Sequence, residues 1–385
     1  MPVLDTLEND MKAWRHDLHA HPEFGFEEKR TSAFVARKLR EFGLDEVAEG
    51  VGGTGVVGTL RRGTSNRAIA LRADMDALKI AEQGDHVYRS RAPGLMHACG
   101  HDGHTSMLLG AARLLVEEGG FDGTIRFIFQ PAEEWGKGAL AMLDDGLMQR
   151  FPFDEIYGLH NMPGIPVGHF HTRAGPLMSA EDNFEITLRG VGGHASRPQQ
   201  GQEVLVAACA LVVNLQTIVS RRLSPTDTAV VSVTELVADG TRNALPGLAR
   251  ILGDARSFRP QVSAEIERQM RIIADGTALT YNCAVETLYS REFVPLINDA
   301  EATDAALAAA AAVFGANATS GNSDVNTASE DFARFLDHLP GCFAFIGNGE
   351  ASAPLHNPTF DFNDAALSGG MRFHAEIARQ RLPVG

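Results

Sequence analysis

Short apolar runs that stop at acids or histidines constrain this chain most. Ala68–Arg72 reads as a strand, and Ala73-Asp-Met-Asp76 leaves its C-terminal end. Thr124–Gln130 reads as a strand closed by Pro131, and Ile156–His160 as another. Between them lie helical patterns. Leu4, Leu7, Met11, Trp14 and Leu18 recur at steps of three and four until His21-Pro22 ends the run. Thr31–Phe42 is a second predicted helix, stopped by Gly43, and His104–Glu117 a third. Strands alternating with helices imply an α/β sheet. Ligands of such sheets gather beyond the strand C-termini. Asp76, Glu133, Glu134 and His160 all fall at such ends.

The pattern changes near Ser179. Phe184, Ile186 and Leu188 alternate as in a strand, and Glu203–Val219 reads as a long apolar helix. Thr228–Glu235 and Ala249–Arg256 read as strands, Val262–Ala274 as a helix and Leu279–Leu288 as a strand. The order is β-α-β-β-α-β, a ferredoxin-like sandwich. Helices over Ala300–Phe314, Glu330–Asp337 and Asp364–Arg379 and a strand over Phe343–Gly347 then resume the first sheet. The expectation is a discontinuous α/β domain from residues 1–180 and 291–385, interrupted by an inserted α+β domain over residues 181–290.

A chain of 385 residues suits two such domains. Its net charge of -15 argues against a nucleic-acid partner. No apolar run reaches membrane-spanning length. Met1–Asp10 carries acids and no basic stretch, unlike a secretory signal. Cys99, Cys209, Cys283 and Cys342 are scattered without paired spacing, which fits a reducing cytoplasm.

The chemistry concentrates in His97-Ala-Cys-Gly-His-Asp-Gly-His104, a thiol and three imidazoles within eight residues. Cys99 and His101, two apart on an extended loop, can face one side, and flanking glycines permit the tight backbone this needs. A lone Cys99 also fits a small buried hydrophobe. His104 and His97 read as packing or supporting residues, and Asp102 as a support to a ligand. Glu133 and Glu134 are adjacent, so their side chains diverge. One can bind a metal while the other exchanges a proton with water. On its own the pair also fits a solvated acidic turn. His160 in Gly158-Leu-His-Asn161 and His356 in Pro354-Leu-His-Asn-Pro358 are further donors. His16, His19 and His21 cluster near the N-terminus without a motif-quality carboxylate and read as structural. His86, His169, His171, His338 and His374 look ordinary.

Arg72-Ala-Asp-Met-Asp-Ala-Leu78, Met96–His104, Phe129-Gln-Pro-Ala-Glu-Glu134, Gly158–Asn161 and Gly192-Gly-His-Ala195 together resemble the dinuclear metallo-amidohydrolases. That group includes hippurate hydrolases, indole-acetyl-amino-acid hydrolases and N-acyl-amino-acid deacylases, relatives of the aminoacylases and carboxypeptidase G. The resemblance runs from Trp14 to His374. It implies a metallopeptidase-type catalytic domain with a central mixed sheet and helices on both faces, plus an inserted lid and dimerisation domain. It implies Cys99, His101, Glu134, His160 and His356 as ligands of two divalent ions, with His101 bridging. It implies Glu133 as general base and acid, and Asp76 as the acid steadying the site. His194 would reach a neighbouring subunit's site to stabilise an oxyanion. Asn243 and Arg256 match positions that hold the substrate carboxylate, for which a guanidinium fork is suited. Lys79 stands where the family usually has proline, and Ala244 where it has a larger apolar residue.

The expected reaction is hydrolysis of an N-acyl amino acid to a carboxylic acid and a free amino acid. The mixed S, N and O donor set suits Zn, Mn, Co or Ni. A dipeptidase or carboxypeptidase is the alternative within the fold. A non-catalytic metal- or ligand-binding homologue is the alternative outside it, against which Glu133 speaks. The expected partners are a small-molecule substrate and a second copy in a homodimer, or a tetramer, formed through the inserted domain.

Overall fold

A computed structural model describes residues 2–385. Two compact units divide the chain, one of Met1–Leu177, Ile297–Asp324 and Glu330–Gly385, the other of Met178–Leu296 and Val325–Ser329.

The first unit is built on an eight-stranded mixed sheet. Its order is Glu46–Val51, Gly55–Arg62, Gly123–Gln130, Ala68–Asp74, Glu155–Pro163, Gly341–Gly349, Phe170–His171 and Thr319–Ser320. The four central strands are parallel. Every residue of Ala68–Asp74 is buried, as expected of a parallel strand covered on both faces. The helix Pro2–Ala20 buries Leu7, Met11, Trp14 and Leu18, the expected apolar stripe. The side chain of Leu4 and the residue Met1 lie outside the described residues. Helix Lys29–Phe42 ends at Gly43, whose φ of +87° closes it with a left-handed cap. The final helix Leu367–Arg381 packs on His101–Glu118 and Ala300–Phe314.

The second unit carries a four-stranded antiparallel sheet in the order Ala229–Ala238, Leu248–Ser257, Ala180–Arg189, Ala284–Phe293. Helices Val204–Leu215 and Pro260–Thr280 bury Leu211, Leu215, Ile266 and Met270 against Ile186, Leu188 and Ile251 of that sheet. Connectivity and strand order are those of a ferredoxin-like sandwich.

Several element boundaries differ from expectation, each for a physical reason. The third helix begins at His101, not His104, so the metal-binding motif runs into its first turn. The helix placed over Val262–Ala274 continues to Thr280, and the strand expected from Leu279 starts at Ala284. Gly276 costs helix propensity, about 1 kcal/mol, but burial of Thr277 and Ala278 holds the extra turn. The helix expected over Glu203–Val219 is α-helical over Val204–Leu215 and then widens into a π-helical turn at Ile218–Arg222. Of Glu330–Asp337 only Ala333–Leu336 is helical, because Glu330 and Asp331 serve a buried arginine instead. The strand pair Glu46–Val51 and Gly55–Arg62 carries no clean alternation and is unexpected. No helix among the described residues is long and apolar enough to cross a membrane.

Candidate metal centre

The C-terminal edge of the four parallel strands carries the chemistry. Asp76 follows Ala68–Asp74, and the chain then runs without helix or strand to Cys99 and the helix start at His101. Glu133 and Glu134 follow Gly123–Gln130, His160 lies in Glu155–Pro163, and His356 follows Gly341–Gly349. Gly100 turns the motif with a φ of +95°, and a Cβ there would lie 2.2 Å from Asn161 Oδ1. Only glycine suits both demands. His356 itself sits at φ +62°, a strained position for a non-glycine residue and one commonly kept at functional sites.

Donor atoms converge in two overlapping triads, Cys99–His101–His160 and Cys99–Glu134–His356, each with its atoms within 4.8 Å of one another. Cys99 Sγ lies 3.4 Å from His160 Nε2. His356 Nε2 lies 3.4 Å and His101 Nε2 3.9 Å from Glu134 Oε1. His160 donates Nδ1–H to the Asn161 carbonyl at 2.6 Å, which leaves Nε2 as a lone pair. Asp76 Oδ1 is 3.1 Å from His101 Nδ1, while Asp76 Oδ2 accepts the Glu134 backbone N–H at 3.1 Å. One carboxylate thus aims two donors. With Nδ1 engaged, His101 offers a single nitrogen, Nε2, to a cation. The sulfur of Cys99 is common to both triads.

The donors fit a cation on two further grounds. His101 Nε2 and Glu134 Oε1 are buried and have no hydrogen-bond partner, a costly state for a polar atom. Charge is also unbalanced. Burial opposes a charged imidazole at His101, yet Asp74, Asp76 and Glu134 lift it to about 10. Burial pushes the Cys99 thiol well up, and Glu134 and Glu133 push it further. A divalent ion reverses that balance and binds thiolate directly. The Glu134 carboxyl is opposed by burial but held below its usual range by His356 and His101. Glu133 goes the other way. Burial first, then Glu330, Glu134 and Asp331, hold its carboxyl well above the usual range.

Other histidines of the motif are occupied or set apart. His104 Nδ1 meets Asp74 Oδ1 at 2.7 Å and its Nε2 meets Asn161, leaving no nitrogen for a metal. His97 is buried with both ring nitrogens unpartnered. Asp102 meets Arg15 Nε at 2.9 Å and His19 Nδ1 at 2.8 Å.

Sequence reasoning passed over the buried polar network beneath Glu133. Arg72 donates to Gln130 at 2.8 Å, Asp74 at 2.7 Å, Glu330 at 2.8 Å and Asp331 at 3.1 Å. The Asp331 backbone N–H is 3.4 Å from Glu133 Oε1. Arg72 and Asp74 stood inside a quoted motif, but Glu330 lies 258 positions from Arg72.

His194, Asn243 and Arg256 belong to the other unit. His194 pairs with Ala244 on a two-stranded ribbon, and the Asn243 carbonyl accepts from Ala195 N–H at 3.0 Å. Ser196 engages His194 Nδ1 at 2.9 Å and leaves Nε2 for a ligand. Arg256 is held by Asp254 at 2.8 Å, Glu181 at 3.0 Å and Ser329 at 2.7 Å.

The profile of peptidase family M20/M25/M40 matches residues 70–380. The chain belongs to that family. It is 38% identical over 382 residues to the hippurate hydrolase of Campylobacter jejuni, covering 99% of each chain. It is 37% identical over 384 residues to the N-acetyl-L-cysteine deacetylase of Bacillus subtilis, covering 98% of this chain and 90% of that one. Among solved structures it resembles the YXEP protein of Bacillus subtilis, described as a dinuclear metal binding peptidase of the M20 family. The TM-score is 0.86 at 32% identity, over 98% of this chain and 99% of that chain.

Proposed function

We propose that the protein hydrolyses the amide bond of N-acyl amino acids, with Cys99, His101, Glu134, His160 and His356 holding two divalent transition-metal ions. The observation that carries the reading is the division between the adjacent glutamates. Glu134 sits among the donors with its carboxyl held below the usual range by His356 and His101, while Glu133 is buried among carboxylates with its own held well above it. A binding protein has no use for the second. Bound there, such ions would acidify a water and polarise a carbonyl. Glu133 accepts the proton of the attacking water and delivers it to the departing nitrogen. Cys99, whose sulfur belongs to both donor triads, would help to hold both ions. Asp76 keeps His101 in the tautomer that offers Nε2.

The names of the relatives point to hippurate-like and N-acetyl substrates. His194 would supply an oxyanion donor, worth roughly 3 kcal/mol in comparable sites. Asn243 and Arg256 would meet the substrate carboxylate, and Arg256 must exchange Asp254 or Glu181 to do so. The second unit would serve as lid and as the surface of a homodimer. Leu205, Val206 and Val213, exposed on its helix, support a copy-to-copy contact. Four free cysteines support a cytoplasmic location. A second reading, cleavage of small peptides, draws on the description of the YXEP protein as a peptidase.

Chelated protein reloaded separately with Zn, Mn, Co or Ni and offered N-benzoyl, N-acetyl and indole-acetyl amino acids beside dipeptides decides between the two. Cleavage confined to dipeptides selects the peptidase. Glu133→Gln is expected to abolish turnover and keep its metal, measured by elemental analysis. Full activity in that variant removes Glu133 from the chemistry.

A further inference from the structure

A second group of metal-type donors stands apart from the centre at Cys99. His19 on the first helix, and Glu82 and His86 on the irregular run that precedes Cys99, bring their ligand atoms within 4.8 Å of one another. His19 is fully buried. Its Nδ1 is 2.8 Å from Asp102 Oδ2, so the ring proton sits there and Nε2 presents a lone pair. This is the carboxylate–imidazole arrangement seen at Asp76 and His101. Glu82 is aimed in the same way. Its Oε2 accepts from Ser90 N–H at 2.5 Å, which leaves Oε1 for the cluster.

The spacing of His19 and Glu82 is that of two ligands of one cation, while His86 stands closer to Glu82 than a shared ion would set it. Tetrahedral zinc with bonds of roughly 2.0–2.2 Å sets neighbouring ligand atoms about 3.3 Å apart. His19 Nε2 and Glu82 Oε1 are 3.3 Å apart. His86 Nε2 is 2.7 Å from the same oxygen, yet it is buried, misaligned for a hydrogen bond and without a partner. Tyr88 stacks on the His86 ring at 4.3 Å and fixes its plane. Two imidazoles and a carboxylate form a zinc-type donor set, with a water as the fourth ligand.

We propose that His19, Glu82 and His86 bind a third divalent cation of the zinc class, with a structural role. What it would hold is clear from the chain path. Residues 79–95 form neither helix nor strand, and a run of that length needs pinning. The run is tied to the rest by Gln83 N–H on the Pro358 carbonyl and Arg91 N–H on the Ala20 carbonyl. A cation joining Glu82 and His86 to His19 would fix it to the first helix. The same run continues directly into Cys99, so its position sets that of the catalytic ligands. No donor is common to the two centres.

The test counts zinc. Chelated full-length protein is titrated with Zn2+ against a chromophoric chelator, beside His86→Ala, Glu82→Gln and Cys99→Ser. His86 is partly exposed and Glu82→Gln keeps its shape, so both variants should fold, which circular dichroism checks. The expected result is one zinc equivalent fewer in each of these two than in wild type. Cys99→Ser should lose zinc from the catalytic centre and keep the third equivalent. Equal uptake by wild type, His86→Ala and Glu82→Gln overturns the proposal and leaves the cluster as ion pairs. Equal uptake by wild type and Cys99→Ser instead counts against the assignment of the catalytic centre, so the two failures are separable.

Discussion

Among the described residues Arg72 is the only arginine or lysine hydrogen-bonded to Asp74, Glu330 and Asp331, and removing it should be felt twice. Arg72→Met keeps much of the stem and deletes the guanidinium. Four donor contacts of 2.7 to 3.1 Å disappear from a fully buried site. Charge-assisted bonds contribute roughly 1.5–3 kcal/mol each, but a plain sum overstates the loss because stranded carboxylates take up protons. Asp331 already shows this: burial raises its carboxyl to about 7, against the relief that Arg72 gives. Breaking one side of a buried ion pair costs about 3–5 kcal/mol. For a unit of this size that lowers Tm by roughly 10 °C. The pH sign follows from the same groups. A carboxyl whose folded pKa lies above its unfolded value stabilises at low pH, and that contribution fades as pH rises through the folded pKa. Without Arg72 the folded values climb further, so the penalty should be larger at pH 8 than at pH 6. Scanning calorimetry of chelated wild type and Arg72→Met at both pH values measures it. A Tm within about 1 °C of wild type at pH 8 would refute the view that Arg72 balances this buried charge, since breaking a buried ion pair costs several kcal/mol.

Two further outcomes follow from named contacts. Asp76→Asn replaces the carboxylate that orients His101 and the Glu134 backbone; metal affinity should fall about 10–100-fold, read by chelator competition, with the fold intact. Burial, with a smaller push from His104, lowers His374 to about 3, well under the usual 6.5. A base with a depressed folded pKa supports the fold above pH 6.5 and withdraws that support as pH falls toward 3. His374→Met should therefore lose less stability than wild type between pH 7 and pH 5 in urea titrations, and parallel losses would show that His374 is not a source of acid sensitivity.

The chain announces its candidate ligands because they are local. Cys99 and His101 sit two apart, Glu133 and Glu134 touch in sequence, and each strand that carries them is a compact apolar run. The roles within the set were harder to read. Which nitrogen His101 offers depends on Asp76 occupying its Nδ1, a contact across 25 positions. The network of Arg72 with Glu330 and Asp331 spans 258 and 259 positions, beyond any spacing rule. His19 looked structural because its carboxylates, Asp102 and Glu82, come from elsewhere in the chain. Glu46–Val51 and Gly55–Arg62 escaped because their burial follows position at one side of the sheet rather than alternation. The helix expected to end at Ala274 runs through Gly276 to Thr280, because burial of Thr277 and Ala278 outweighs local propensity.

The strand Gly341–Gly349 lies inside the large sheet, between Glu155–Pro163 and Phe170–His171, although its two neighbours precede it by well over a hundred residues. During synthesis those neighbours emerge with a vacant slot between them, and it stays vacant while the whole second unit leaves the ribosome. The second unit is continuous apart from a five-residue return, Val325–Ser329, and can collapse early on local pairings. The sheet closes only once the late strand arrives, and His356 comes a few residues after it. Newborn chains therefore carry Cys99, His101, Glu134 and His160 for some time before the last donor exists. A metal centre built on these five residues would be completed only at the end of translation, and a truncated chain would lack it.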